Sequence, residues 1–145
     1  MFRTVLAVAA VALGVTAVVA QQDPIAARKA VMKANGEQAR LGTQMVKGEA
    51  PFDLAKAKAI FAQYQDAAAK MPNLFPDNSK TGGDTAASPK IWENKADVTA
   101  RFAKFGQEAK AASDKVTNLD TFKAQFPEVM KNCGGCHENY RLRRG

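Results

Sequence analysis

The chain has 145 residues, enough for one domain and too few for two. Hydrophobic residues make up 46% and charged residues 24%, the balance of a globular protein rather than a disordered or fibrous one. The net charge of +7 is spread as Lys and Arg interleaved with Asp, Glu and Ala, which argues against a concentrated nucleic-acid footprint and for solvated helical faces.

The first twenty residues differ from the rest. Arg3 supplies a positive start, Val5 to Val19 is almost wholly small and apolar, and Val18 and Ala20 put small residues at the −3 and −1 positions of a cleavage site. This pattern is an export leader, cut after Ala20, and it is short for an anchor that needs ~20 apolar residues. Residues 21–145 are then the single mature domain, with no later segment able to span a membrane, and nucleic acid is not an expected partner of an exported chain.

Ala, Lys, Gln and Glu dominate the mature chain, which predicts helices throughout. The first helix is expected from Pro24 to Lys47, with Asp23 as its cap and Gly48 as its stop. Its inner stripe reads Ile25, Met32, Ala39, Thr43 and Val46, with Val31, Leu41 and Met45 to the side. The second begins at an Asp53 cap and carries Leu54, Ala57, Phe61, Tyr64, Ala68 and Met71 inward, until Pro72 ends it. A long connector from Pro72 to Ser88 follows, and a loop of that length in a compact helical domain usually has a function. The third helix opens at Ser88-Pro89 and runs through Ile91, Val98, Phe102, Phe105, Ala109, Ala112 and Val116. The fourth opens near Asp120 and sets Phe122, Phe126, Val129, Met130, Cys133, Cys136, His137 and Tyr140 on one face, before Arg141, Arg143 and Arg144. Four such helices predict an all-α, antiparallel up-down-up-down bundle.

The chemistry is carried by Cys133-Gly134-Gly135-Cys136-His137, the C-x-x-C-H attachment signature of a c-type haem. Two cysteines three apart share a helical face, so both sulfurs can meet one edge of a porphyrin while the next residue aims an imidazole at the iron. Three other readings compete. A Cys133–Cys136 disulfide suits an exported chain but leaves the adjoining histidine, the only one in the sequence, without a purpose. A thioredoxin-like pair needs strands, and a zinc site needs four ligands where two Cys and one His are present. One haem c, bound inside one end of the bundle, is the expected cofactor.

With a single His, bis-His ligation is excluded and methionine is the next candidate for the sixth position. An up-down-up-down topology puts the end of the last helix level with the start of the first, where Met32 lies. Met45 is 13 residues further on, about 20 Å along the axis. Met130 shares the His137 helix, and Met71 stays a second candidate at the same end. Met32 is either a sixth ligand, giving an electron carrier, or a packing residue beside an open iron that can bind a small gas. Arg28 and Lys29 start the first helix nearby and are candidates to pair with the haem propionates, the alternative being an ordinary exposed pair. Arg141 is a candidate proximal residue.

Over nearly the whole mature chain this pattern resembles the cytochrome c′ family, the class II cytochromes c. The resemblance rests on Arg28-Lys29-Ala30-Val31-Met32, Lys47-Gly48-Glu49-Ala50, Leu74-Phe75-Pro76, Lys80-Thr81-Gly82-Gly83-Asp84, Pro89-Lys90-Ile91-Trp92 and Cys133 to Arg141, with the haem motif near the C-terminus as its specific feature. It implies a periplasmic homodimer with one covalent haem c that exchanges electrons with periplasmic redox partners, binds NO or CO on a crowded distal side, and is not a turnover enzyme. It matches Met32 to the distal residue, Arg141 to the proximal arginine, and Arg28, Lys29 and Asp84 to positions lining the haem. The low-spin cytochromes c-556, a close branch, place a ligating Met at the Met32 position, whereas the Gly-Gly-Asp connector resembles the five-coordinate branch.

Overall fold

The structure, a computed structural model, describes residues 23–143. The leader expected at residues 1–20 and its cleavage site lie outside the described residues. Helix α1 (Pro24–Lys47) starts where the Asp23 carboxylate accepts the Ile25 N–H at 2.9 Å and stops at Gly48, whose φ of 76° is the left-handed C-cap that glycine adopts without a Cβ penalty. Helix α2 (Leu54–Lys70) is capped by Asp53, which accepts the Lys56 N–H at 3.0 Å.

Pro72 does not end the helical path outright. The chain tightens into a 3₁₀ turn, Met71–Leu74, followed by a second at Asp77–Ser79, so part of the predicted connector is ordered helix. The third helix, expected as one piece, is broken. A single turn, α3 (Lys90–Glu93), ends at Asn94, whose side chain then caps α4 (Lys95–Lys115) by accepting the Asp97 N–H at 3.3 Å. Asn competes with the helical backbone through its own side chain, which is why the break falls there. Helix α5 (Leu119–Tyr140) starts from Asn118 rather than Asp120, in a reciprocal capping box with Thr121. Pro127 lies on its exposed face, so the helix continues past it with one N–H fewer.

The four long helices pack in a ring, α1 on α2, α2 on α4, α4 on α5 and α5 back on α1. Cross-helix pairs show that neighbours run antiparallel: Gln63 donates to Asn35 while Arg28 donates to Leu74, and Lys104 reaches Asn132 while Arg101 reaches Gly135. The up-down-up-down bundle of the sequence analysis is the observed fold. Its core is aromatic: Phe61 and Phe122 are fully buried 5.9 Å apart, and Phe126 lies 5.1 Å from Phe122. One feature is not helical. Ala87 and Arg141 form an isolated antiparallel bridge, with the Leu142 N–H on the Ala86 carbonyl and the Ser88 N–H on the Tyr140 carbonyl, tying the connector to the end of α5.

Three inner-stripe assignments are corrected. Met45, expected at the side of α1, is 1% exposed and sits in the core, while Thr43 faces solvent and spends its hydroxyl on the Ala39 carbonyl. The inner face of α1 runs Ile25, Arg28, Gly42 and Met45, with Gly42 against the Phe126 ring of α5. Leu54, expected inside, is 40% exposed at the first turn of α2.

Candidate functional site

The motif occupies the last turns of α5, where Cys133, Cys136 and His137 are all half-buried. Both cysteines are free thiols, and burial pushes each thiol up from its ordinary value. Three residues apart on one helix, they share a face and can present two sulfurs to a single planar group. Burial, then the charge of Arg141, holds the His137 imidazole below its ordinary pKa and favours the neutral form that ligates a metal. Nothing lies within 4 Å of where a Cβ would stand at Gly134 or Gly135, so the protein's own packing leaves that strip of α5 open. Among the described residues no group of three or more His, Cys, Asp or Glu could hold a metal ion. The donor set, two thiols and one neutral imidazole on a single face, fits a covalently attached haem.

The α1–α5 register identifies what stands opposite. A Cβ at Gly42 would lie 2.5 Å from Phe126 Cζ, so α1 at Gly42 passes α5 within about one turn of Phe126. Ten residues back along α1 is Met32, and ten residues on along the antiparallel α5 is Cys136. Both steps cover about 15 Å at 1.5 Å per residue, so Met32 stands within about a turn of the level of the Cys136–His137 pair. Met45 and Met71 are buried in the core, and the Met130 sulfur accepts the Tyr64 hydroxyl at 3.5 Å. Met32 is half-buried against the core.

The four remaining predicted residues gather at the same end but do different things. Arg28, weighed as a propionate partner or an exposed cation, is 4% exposed and clamps the connector. Its Nη1 donates to the Leu74 carbonyl at 2.7 Å and to Ser79 Oγ at 2.8 Å, and its Nη2 donates to the Ser79 carbonyl and Thr85 Oγ1. The Phe75 and Trp92 rings lie 5.0 and 5.7 Å from its guanidinium carbon. Lys29 is exposed and donates to the Gly83 carbonyl. Asp84 ends a turn of three left-handed residues, with φ 93°, 52° and 56° at Gly82, Gly83 and Asp84. Arg141 is exposed, closes α5 with its N–H on the His137 carbonyl at 3.2 Å, and carries the bridge to Ala87.

Sequence reasoning missed one cluster. The Tyr140 hydroxyl donates to Asp97, Asp97 also accepts from Arg101 Nε at 2.6 Å, and Arg101 Nη1 donates to the Gly135 carbonyl at 3.3 Å. The Arg101 guanidinium also stacks 5.6 Å from the Tyr140 ring. The Asp97–Arg101 spacing of four was legible as a helical ion pair, but its aim at the motif needed the α4–α5 packing. Trp92 and Tyr140 lie at the edge of the core, with the Trp92 indole on the Pro76 carbonyl.

The family model described as Cytochrome C′ matches residues 23–141. A cytochrome c′ of Rhodopseudomonas palustris is 45% identical over 134 residues, covering 92% of each chain. A cytochrome c-556 of the same organism is 36% identical over 149 residues, covering both chains fully. Among solved structures, cytochrome c′ from Rhodopseudomonas palustris superposes with a TM-score of 0.83 at 44% identity, covering 86% of this chain and all of that one.

Proposed function

Since this chain belongs to the cytochrome c′ family, with cytochrome c-556 among its relatives, we propose that it is an electron-transfer protein whose distal side also admits NO or CO. It is a mono-haem c-type cytochrome. Bound, the haem c supplies one-electron chemistry and an iron that takes small gases. In this reading Cys133 and Cys136 would hold the haem through thioether links and His137 would bind its iron, burial favouring the neutral imidazole. Met32 is a wall on the opposite side. Arg28 acts through the connector that it clamps, Lys29 and Asp84 line the same end, and Arg141 flanks the proximal side.

The observation that supports the reading most is the register: Met32, half-buried, lies within about a turn of the level of Cys136 and His137, while Met45 and Met71 are buried in the core and the Met130 sulfur is engaged by Tyr64. That observation also favours a second reading, in which the Met32 thioether is itself the sixth ligand and the protein is a low-spin His/Met carrier. Export with cleavage after Ala20, work in the periplasm and assembly as a homodimer belong to the same proposal. No helix among the described residues is long and apolar enough to cross a membrane.

The test is the absorption spectrum of the purified protein, oxidised, reduced and reduced with CO, repeated on Met32→Ala. A broad ferrous band that CO sharpens, in both proteins, supports the open distal side. Sharp bands that ignore CO until Met32 is removed support the ligand reading instead. A denatured chain that releases all its colour, or never carries any, overturns covalent haem at Cys133 and Cys136.

A further inference from the structure

The cluster on the outer side of the motif has no part in ligation, and it carries an inference that rests on the haem reading above. Arg101 projects from α4 onto α5 and touches three groups there or beside them: the Gly135 carbonyl, the Tyr140 ring and the Asp97 carboxylate. The Gly135 carbonyl belongs to the peptide that leads into Cys136, and it also accepts from the Asn139 side chain at 3.1 Å. A carbonyl within a helix already serves the N–H four residues on, and here it also accepts from one charged donor, Arg101, and one neutral donor, Asn139. Asp97 and Tyr140 fix the guanidinium from both sides, as a planar fork requires. The neighbouring charges, Lys90 and Glu93 in the open groove beside the cluster, are of opposite sign, so neither dominates the surroundings.

We propose that Arg101 is a positioning residue for the haem: held by Asp97 and Tyr140, it braces the Gly135–Cys136 peptide of the attachment motif and sets a positive field at the Cys136 end, raising the reduction potential. Reduction adds one electron to the prosthetic group, so a fixed cation beside it favours the reduced form. The Arg101 and Asp97 side chains are 39% and 35% exposed, so the effect is partly screened by salt.

The experiment is a spectroelectrochemical titration of holoprotein variants at low and high ionic strength. Arg101→Gln is expected to shift the midpoint to a more negative potential. Arg101→Lys keeps the charge but loses the fork, and should fall between Arg101→Gln and the parent. Asp97→Asn removes the counter-charge with little change of shape and should shift the midpoint the other way. Salt should shrink all three differences. Midpoints of Arg101→Gln and Asp97→Asn equal to the parent, or both moving in one direction, would overturn the proposal, even where stability falls. Should Arg101→Gln fail to fold, the sign of the Asp97→Asn shift decides alone. A pyridine haemochrome assay on each variant separates the two levels: colourless parent protein defeats the haem reading, whereas full haem content with unmoved potentials defeats only the role of Arg101.

Discussion

The α1–α5 register that brings Met32 within about a turn of the level of the motif depends on a close approach at Gly42, and replacing that glycine tests it. A Cβ there would stand 2.5 Å from Phe126 Cζ and 3.0 Å from Cδ2. The ring cannot easily yield, because Phe126 is 3% exposed and packs 5.1 Å from the fully buried Phe122. Overpacking of this kind costs about 1–3 kcal/mol, and a ring so enclosed belongs in the upper half of that range. Alanine in a helix interior recovers about 1 kcal/mol over glycine. Gly42→Ala should therefore lose about 1–2 kcal/mol. With a urea slope near ~2 kcal/mol/M, the unfolding midpoint followed by circular dichroism should drop by roughly 0.5–1 M. Phe126→Leu makes room, so the double variant should be less destabilised than the two single losses added together, by at least ~0.5 kcal/mol. A Gly42→Ala protein as stable as the parent, or more so, would refute both the contact and the register built on it.

Three further outcomes are expected. Gly36 is exposed in the interior of α1 with nothing within 4 Å of a would-be Cβ, so Gly36→Ala should stabilise by about 0.5–1 kcal/mol in the same urea assay. Arg28→Met strips four hydrogen bonds from the connector and leaves the Leu74 and Ser79 carbonyls without that donor, a loss of about 2–4 kcal/mol, and hydrogen exchange should quicken at Ser79, Thr85 and Ala87. The Tyr140 hydrogen bond, then that of Arg101, holds the Asp97 carboxyl below its ordinary value. A depressed carboxyl contributes stability above its unfolded pKa of about 3.9 and loses it as pH falls through the folded value. Asp97→Asn should accordingly flatten the decline of the unfolding midpoint below pH 4, and an unchanged slope would mean that the carboxylate is not held.

Much of this protein is written locally. Asp23 and Asp53 with their following turns, Gly48 as a stop, and the three-and-four spacing from Ala57 to Ala68 each specify a helix through capping and periodicity alone. Cys133, Cys136 and His137 name the cofactor because their chemistry and spacing are fixed within one helical turn. The Asn94 break was also written locally, yet a favourable stripe on either side hid it.

Tertiary structure decided what periodicity cannot. Which face of α1 is buried, with Met45 inside and Thr43 outside, depends on the helices packed against it, and no stripe within α1 records their positions. Arg28 reads as a surface cation beside Lys29 until the connector folds over it, supplying carbonyls and rings from residues 46 to 64 positions away. Likewise Arg101 reads as half of an ordinary helical ion pair until α5 brings the Gly135 carbonyl to it. Local order depends on dihedral preference and spacing, which neighbours in sequence supply. The partners of buried charge and the facing of inner stripes depend on which helices meet, and packing of the whole bundle settles that.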